Sequence, residues 1–523
     1  MAKNELPPAP APNILFQINT TPIAPVLPAS KDHEHIDIRY PLLEPYAYAH
    51  IYWDRQANEL VYFIEEPELN EAELDLLETV ERGIEELINI SFLNVKTTEA
   101  VIEYLEKNIK VLLAELGIKV TQETFLKIMY YVYRDFVGLN EIEPLLKDYF
   151  IEDIECNGIN TPLYIVHRKY RNLRTNIIFL SMDHLTSFVE KLAQKCGKYI
   201  SYASPILDAQ LPDKSRINAT FTQEISSRGP TFSIRKFTTE PWSPVKLIQF
   251  RTLSPEMLAY LWILIEHEAN FVIIGGTGSG KTSLLNALAS FIPPAARIVS
   301  IEDTREINLV HENWLPSVTR EAIGIGGEGK FGEIDLFTLL RASFRQRPDY
   351  VIVGEVRGAE ANVLFQGAAS GHPSACTMHA EDVETMIKRL ETPPISLSPG
   401  LVETIDIVCI ISQAKVKGED VRRVKSIVEI IGVNENGDAT TNSPFIWDPA
   451  SDAFFFKTES VMFRKLVSEY GLNMNTLLSE FSARTRLLFE LYRRNIVEYK
   501  QVQDVINAYY TSPEEVLKRF NII

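Results

Sequence analysis

The sequence predicts an α/β protein whose main domain is a parallel β-sheet covered by helices on both faces. Two observations support this fold class. Short, wholly apolar segments such as Phe271–Ile274 and Tyr350–Val353 alternate with segments of helical periodicity. Strands of this kind between helices are typical of a parallel sheet that is buried on both sides. In addition, a glycine-rich turn separates the first of these strands from the helix that follows it.

The composition indicates a folded protein with several domains. Of 523 residues, 46% are hydrophobic and 23% are charged, which excludes a largely disordered chain. The net charge of −18 disfavours non-specific binding to nucleic acid, because the protein and the phosphate backbone repel each other. No apolar run reaches the roughly 18 residues of a membrane span and no secretory signal begins the chain, so we expect a cytoplasmic protein. The four cysteines form no CxxC pair, which argues against a zinc or disulfide framework.

The pattern along the chain divides it into five segments. Residues 1–30 contain seven prolines and almost no charge, which predicts a disordered tail. Pro241 and Pro244 interrupt the later pattern and indicate a linker. The expected segments are the tail at 1–30, an N-terminal α/β domain at 31–237 with sub-lobes at about 31–125 and 126–237, a linker at 238–250, the main domain at 251–450 and a C-terminal helical subdomain at 451–523.

Two kinds of pattern predict the elements of the N-terminal domain. Enrichment in Tyr, Val and Ile predicts strands, whereas Leu, Ile and Val at three- and four-residue spacing predict amphipathic helices. The predicted strands lie at 40–63, 151–166, 176–180, 216–222 and 231–237, and the predicted helices lie at 70–87, 97–116 and 182–196.

The main domain begins with a helix signalled by Ser254-Pro255-Glu256, because serine is a good N-cap and proline suits the first helical position. This helix is predicted to run to about His267. Strands at 271–274, 297–301 and 350–353 then alternate with helices at 281–290, 336–344 and 359–369. Beyond Ala453 the chain is predicted to be mostly helical, with one stripe formed by Leu477, Phe481, Arg484, Leu488 and Leu491.

The strongest motif is the glycine-rich turn between the strand at 271–274 and the helix at 281–290. Its pattern, strand–GxxxxGK[ST]–helix, is that of a phosphate-binding loop. Backbone N–H groups in such a loop surround a phosphate, Lys281 reaches the β- and γ-phosphates, and Thr282 reaches Mg²⁺. The sequence therefore predicts nucleotide binding. The residues expected to bind the nucleotide are Gly275, Gly276, Thr277, Gly278, Ser279, Gly280, Lys281, Thr282 and Ser283.

Acidic residues follow two other predicted strands. Glu302, Asp303 and Glu306 come after the strand at 297–301, and Glu355 comes after the strand at 350–353. Carboxylates at such strand ends lie where they can orient an attacking water or hold the Mg²⁺ shell. His379 is a candidate for sensing or donating to the γ-phosphate.

Two further patterns are interpreted as non-functional. The segment 324–329 matches GxGxxG, but neither a strand precedes it nor a helix follows it, so we interpret it as a flexible glycine loop. The cluster at 32–35 (Asp-His-Glu-His) lacks further ligands nearby, so we assign no metal there. His372 is interpreted as structural.

Four motifs stand in order along the chain: the phosphate loop, 301–306, 345–358 and 377–379. Together they resemble the Walker A motif, Asp box, Walker B motif and His box of the type II/type IV secretion ATPase superfamily. The segments 40–49, 151–158 and 230–237 resemble the archaeal branch, which drives archaellum and type IV pilus assembly. The resemblance covers about residues 40–450.

The resemblance implies a two-lobed protein with a RecA-like ATPase core beside an α/β N-terminal domain, assembled as a homohexameric ring. ATP and Mg²⁺ are the implied ligands, and a polytopic membrane platform protein is the implied partner, reached by peripheral membrane contact and without a specific nucleic acid.

Site roles follow by motif. Lys281 and Thr282 bind phosphate and Mg²⁺, Glu306 is the expected water-activating acid, Glu355 takes the Walker B position beside Mg²⁺, and His379 matches the His box. The candidates for an arginine finger are Arg216, Arg228 and Arg235 of the N-terminal domain, or Arg345 and Arg347.

Two departures from the family pattern are visible. No aspartate precedes Glu355, since Gly354 stands there, and the tetracysteine zinc element of many bacterial type II relatives is absent. Two other functions remain open at this point. One is a DNA-translocating ATPase of the conjugation type. The other is a non-catalytic, nucleotide-gated scaffold that needs Lys281 but neither Glu306 nor Glu355.

Overall fold

The structure is a computed structural model, and it describes residues 15–21, 25, 27–28, 33–88, 98–237, 240–320, 332–434 and 438–523. The chain divides into two compact units, 1–237 and 238–523. The boundary lies where the sequence analysis ends its N-terminal domain. Within the described ranges, no helix is both long and apolar enough to cross a lipid bilayer.

The N-terminal unit is built on one mixed sheet. Its described strands follow the order β1-β2-β3-β6-β5-β4-β9-β8-β7, and all neighbours are antiparallel except β3 and β6. The strands are β1 (Asp37–Leu43), β2 (Ala47–Asp54), β3 (Glu59–Glu65), β4 (Ile151–Cys156), β5 (Pro162–His167), β6 (Arg171–Ile178), β7 (Ile206–Gln210), β8 (Arg216–Thr220) and β9 (Thr231–Arg235). The helices are α1 (Glu71–Ile88), α2 (Thr98–Glu115), α3 (Gln122–Val132), α4 (Glu143–Lys147) and α5 (Met182–Lys195).

The two sub-lobes expected at 31–125 and 126–237 are joined in this unit. Strand β3 of the first pairs with β6 of the second, so a single sheet runs through both. One hydrophobic core likewise includes residues from both halves, such as Ile84 and Val189. The sequence analysis divided the unit because pairing between distant strands leaves no local signal.

Part of the expected disordered tail packs on this unit. Phe16 is only 1% exposed and its ring stacks on Tyr46, with 5.1 Å between ring centroids. Its backbone N–H donates to Glu106 Oε2 at 3.2 Å. Phe16 and Leu27, which lie between prolines, are therefore core residues, which the proline count concealed. Within residues 1–30 the structure describes 15–21, 25 and 27–28, and the rest of this segment lies outside the described residues.

The second unit is built on a sheet in the order β12-β11-β13-β14-β10-β15-β16-β17-β18, parallel from β12 to β15 and antiparallel from β15 onwards. Its described strands are β10 (Phe271–Ile274), β11 (Ile298–Glu302), β12 (Trp314–Val318), β13 (Tyr350–Val353), β14 (Ser374–Met378), β15 (Ile407–Val416), β16 (Glu419–Val433), β17 (Ala439–Asp448) and β18 (Ala453–Phe456).

Helices cover both faces of this sheet, which confirms the predicted fold class. Along β10, Phe271 and Ile273 face one core, whereas Val272 and Ile274 face the other. The described helices are α6 (Pro244–Gln249), α7 (Pro255–Glu266), α8 (Lys281–Ala289), α9 (Leu336–Ser343), α10 (Glu360–Ala369), α11 (Val383–Glu391), α12 (Pro399–Val402), α13 (Val461–Tyr470), α14 (Met474–Arg493), α15 (Tyr499–Thr511) and α16 (Pro513–Arg519).

Two expected segments belong to the body of this unit. The linker at 238–250 contains α6, whose Val245 and Leu247 are buried in the core, so the prolines there start a helix instead of ending the domain. The helices expected as a separate subdomain at 451–523 share one core with α7 and β10, through residues such as Leu488 and Ile506. Strand β18 also joins the sheet beyond residue 450.

Candidate functional site

The phosphate loop follows β10, which lies between β14 and β15 and is the fifth of the nine described strands of this sheet. The loop turns through Gly278 and Gly280, whose φ angles are +68° and +98°. Glycine adopts such angles at no steric cost because it has no Cβ atom, which explains the glycines at these two positions. Helix α8 then begins at Lys281, so its free backbone N–H groups and its positive dipole end face the loop. A phosphate fits such a helix start.

The Lys281 ammonium group lies against the loop. Its Nζ donates hydrogen bonds to the carbonyl oxygens of Gly275 at 3.0 Å and Gly276 at 2.9 Å. Burial lowers the pKa of Lys281, while the charges of Glu355 and Glu306 act in the opposite direction. The lysine and both predicted acids therefore lie within electrostatic reach of one another.

The turn that carries Glu306 is held from two sides. The Glu302 carboxylate accepts hydrogen bonds from the backbone N–H groups of Glu306 and Ile307, both at 2.8 Å. On the other side, Asn286 of α8 donates to the Glu306 carbonyl oxygen at 3.1 Å and accepts from the N–H of Asn308 at 2.9 Å. The helix that starts in the phosphate loop thus positions the acidic turn as well.

Glu355 follows β13 and lies beside His379, which follows the adjacent strand β14. The distance from His379 Nε2 to Glu355 Oε1 is 3.4 Å. Arg357 donates to the other carboxylate oxygen, with its Nε at 2.9 Å from Glu355 Oε2. The pKa of His379 is lowered, first by burial and then by the positive charge of Lys281. The parallel pairing of β13 with β14 therefore brings together the Walker B and His-box positions.

Two side chains from the β15–β16 hairpin contact the loop directly. Gln413 Nε2 and Arg422 Nε donate to the carbonyl oxygen of Gly278, at 2.8 and 3.1 Å. The sequence gives no local signal for these residues, because Gln413 is on β15, which pairs with β10, and Arg422 is on β16, which pairs with β15. Both residues are more than 130 positions away from Gly278 in the sequence. Arg357 was also overlooked, although its place two residues after Glu355 was an available signal.

The five arginines proposed as fingers have different surroundings. In the N-terminal unit, Arg216 makes a two-point ion pair with Asp208, at 3.2 and 2.7 Å, and Arg235 pairs with Asp153 at 2.9 Å. Arg216 and Arg235 are also cross-strand neighbours on β8 and β9. The other three side chains are exposed: Arg228, Arg345 and Arg347. The GxGxxG segment at 324–329 lies outside the described residues.

The acidic and hydroxyl oxygens at the site are compatible with Mg²⁺. The cation prefers oxygen ligands, and the residues predicted to hold it are Thr282 at the start of α8 and Glu355. Glu355 Oε1 is buried and accepts no hydrogen bond in the described part of the chain, although the His379 ring lies 3.4 Å away. An unsatisfied buried carboxylate oxygen is a suitable donor to a cation.

A central parallel strand, a glycine loop with a lysine at a helix start and acids after β11 and β13 of the same parallel sheet define a P-loop nucleotide-binding protein with a RecA-like sheet. The comparisons specify the class further. Residues 138–429 match the model of a protein family described as "Type II/IV secretion system protein". The chain belongs to that family. One of its relatives from an archaeon matches it over most of its length.

That relative is an uncharacterised protein of Methanocaldococcus jannaschii, 35% identical in an alignment 505 residues long that covers 92% of this chain and 90% of the relative. The type IV secretion system protein PtlH of Bordetella pertussis is 30% identical in an alignment 281 residues long that covers 47% of this chain and 81% of PtlH. The sequence analysis therefore identified the family correctly from its motifs.

Among solved structures, the chain is similar to the VirB11 ATPase from the Brucella suis type IV secretion system in complex with sulphate, at 24% identity and a TM-score of 0.28, over 55% of this chain and 95% of that one. It is also similar to the ATPase DotB of Legionella pneumophila, at 18% identity and a TM-score of 0.38, over 71% and 91% of the two chains. The family assignment rests on the sequence matches.

Proposed function

We propose that this protein hydrolyses ATP with Mg²⁺ and that, as a subunit of a homohexameric ring, it drives assembly of an extracellular filament of the type IV pilus or archaellum kind. The observation that carries the proposal is the convergence of Lys281, Glu306 and Glu355 on one phosphate loop. Family membership supports the motor role.

Each residue has a part in the chemistry. The Lys281 ammonium, now bonded to loop carbonyls, exchanges them for the β- and γ-phosphate oxygens and neutralises their charge. Glu306, fixed by its turn, orients the attacking water and accepts its proton. Thr282 and Glu355 would hold Mg²⁺, which when bound neutralises charge on the transferred phosphate. His379, next to Glu355, contributes a hydrogen-bonding group toward the γ-phosphate.

The arginine finger belongs to the same proposal. An arginine that reaches the transferred phosphate raises turnover by roughly 10³ to 10⁵ in P-loop enzymes that use one. We retain Arg216, Arg228 and Arg235 of the N-terminal unit, and Arg345 and Arg347 of the second unit, as candidates. Single alanine variants separate them, because the finger variant loses turnover without losing affinity for ATP.

The proposed partner is a polytopic membrane platform protein, contacted from the cytoplasmic side by peripheral association. The net charge of −18 supports a protein partner over DNA. ATP turnover should therefore rise when a cytoplasmic loop of the platform protein is added. Stimulation by single-stranded DNA that declines steeply with salt would instead support a DNA motor.

The central test separates binding from hydrolysis. Lys281→Ala should lower the affinity for ATP by about tenfold or more, because the loop loses the charge that faces the phosphates. Glu306→Gln should bind ATP like the wild type but turn it over about 100-fold more slowly, since the amide accepts no proton. Titration calorimetry measures the binding, and phosphate release measures the turnover.

Glu312→Gln is the matched control for Glu306→Gln, because Glu312 is an exposed acid further along the same loop. It should turn over ATP at the wild-type rate. If Lys281→Ala binds ATP normally, the nucleotide site is not at this loop. If the wild type hydrolyses ATP only slowly and neither Glu306→Gln nor Glu355→Gln lowers that rate, the protein is a nucleotide-gated scaffold.

A further inference from the structure

Glu302 is a buried carboxylate beside the nucleotide site to which the proposed mechanism gives no role. It is 2% exposed and ends β11. Strand β11 pairs in parallel with β13, with Ile301 opposite Val353, so Glu302 and Gly354 leave the sheet side by side. Burial raises the pKa of Glu302 to about 7. Such a group is costly to bury, which calls for a reason for its presence.

The space beside Gly354 is filled by Glu302. A Cβ atom added to Gly354 would lie 3.0 Å from Glu302 Cγ and 3.5 Å from its Cβ and its Oε1. Position 354 is the one before Glu355, where ordinary P-loop enzymes carry an aspartate. A Cβ atom there would require the Glu302 side chain to shift by a few tenths of an ångström. The absence of a side chain at position 354 therefore makes room for the buried Glu302 of the adjacent strand β11.

The same carboxylate shapes the acidic turn. Glu302 Oε1 accepts both the Glu306 and the Ile307 N–H groups, whereas Oε2 is buried without a partner in the described part of the chain. Hydrogen bonds to a carboxylate are stronger than those between neutral groups, so this oxygen fixes the backbone of Glu306 firmly. Asn286 holds the carbonyl side of the same residue.

We propose that Glu302 is a positioning residue that reaches across from β11 into the space left by Gly354 and sets the place of Glu306 toward the phosphate loop. This inference rests on the proposed function, since it assigns Glu302 a part in the hydrolysis carried out by Glu306. Glu302 positions Glu306 by accepting its backbone N–H group, and it can do so because Gly354 leaves space for the Glu302 side chain.

The test compares Glu302→Ala with Glu302→Gln. Alanine removes the acceptor and should lower kcat by about 100-fold, as misplacement by about 1 Å of a reacting group does, with KM for ATP and affinity for ADP within about twofold of the wild type. Glutamine keeps an oxygen that accepts both N–H groups, so kcat should stay within about threefold. Hydrogen exchange at the Glu306 and Ile307 amides should accelerate in Glu302→Ala and remain slow in Glu302→Gln.

Gly354→Ala tests whether the space beside Glu302 is needed, while residue 302 itself remains a glutamate. Its added methyl group should displace the carboxylate and lower kcat about tenfold in the wild type, but should have little further effect in Glu302→Ala, where the room already exists. This variant also carries the test if Glu302→Ala fails to fold. The Glu312→Gln variant again serves as the control.

Three outcomes would overturn the proposal. Glu302→Ala could keep wild-type kcat while Glu306→Gln loses it. Alanine and glutamine could lose kcat equally, which would assign the effect to charge. The losses from Gly354→Ala and Glu302→Ala could also simply add. If the wild type itself does not hydrolyse ATP, the proposed function fails, whereas the amide exchange at Glu306 and Ile307 still reports on the turn.

Discussion

Burial controls the protonation of a single histidine in the N-terminal unit. The ring of His167 lies between Phe150 and Tyr170, with centroids 5.4 and 5.0 Å away. Its Nδ1 accepts the backbone N–H groups of Lys169 and Tyr170, both at 3.1 Å. Desolvation lowers the pKa of His167 to about 4, so the folded protein keeps this ring neutral.

His167 should make the N-terminal unit sensitive to acid. Between pH 6.5 and 4 the unfolded chain binds a proton that the folded one does not, so stability from this residue is complete above pH 6.5 and declines as the pH falls through that window. The loss approaches about 3 kcal/mol at the acid end, at roughly 1.4 kcal/mol per pKa unit. Urea unfolding at several pH values measures it.

His167→Asn is the informative variant, because its Oδ1 can replace Nδ1 as the acceptor while the side chain no longer titrates. Its free energy of unfolding should change less between pH 7 and pH 4.5 than that of the wild type. The control is His184→Asn, at an exposed histidine. Its free energy of unfolding should change with pH as much as that of the wild type does. Parallel pH profiles for wild type and His167→Asn would contradict the assignment.

At the scale of elements, local signals place α7 accurately. The predicted cap is present: Ser254 Oγ accepts the N–H of Met257 at 3.3 Å, and the helix runs from Pro255 to Glu266. Ser254→Ala should cost about 1 kcal/mol of unfolding free energy, whereas Ser254→Asp should keep most of it. Thermal unfolding measures both, with the exposed Ser479→Ala as the control. An equal loss in Ser254→Asp would exclude the cap as the cause.

How much the sequence predicts depends on whether the signal is local. The loop after β10 and the acid after β13 could be placed from neighbouring residues, because an apolar strand and a turn identify each other. Gln413 and Arg422 could not, since only the pairing of β10 with β15 and of β15 with β16 brings them to Gly278. The role of Glu302 was hidden for the same reason, as it depends on what stands beside it on β13.

At the scale of the molecule, the C-terminal helices complete the second unit. Leu487, Leu488 and Ile506 are fully buried against the core that also holds α7 and β10. A chain that ends at Phe456 would expose the core residues of α7 and β10 that these helices cover. A folded monomer with such a large apolar surface exposed to water is expected to aggregate.

Truncation therefore tests the unity of this unit. The fragment 238–523 should unfold cooperatively on heating, because its core is complete. The fragment 238–456 should show no cooperative transition and should bind a hydrophobic dye. Circular dichroism and dye fluorescence measure the two properties. A sharp transition in the shorter fragment would restore the separate helical subdomain that the sequence analysis expected.

The nine residues of α8 connect two distant parts of this unit. Its first residue is Lys281, and just past its last turn the carbonyl oxygens of Ser290 and Phe291 accept hydrogen bonds from Gln503 at 3.0 Å and Tyr510 at 2.6 Å. A helix of this length is about 13 Å long and barely compressible. A displacement of the phosphate-binding end of α8 is therefore transmitted to α15 through these direct hydrogen bonds, without a flexible loop between the two helices.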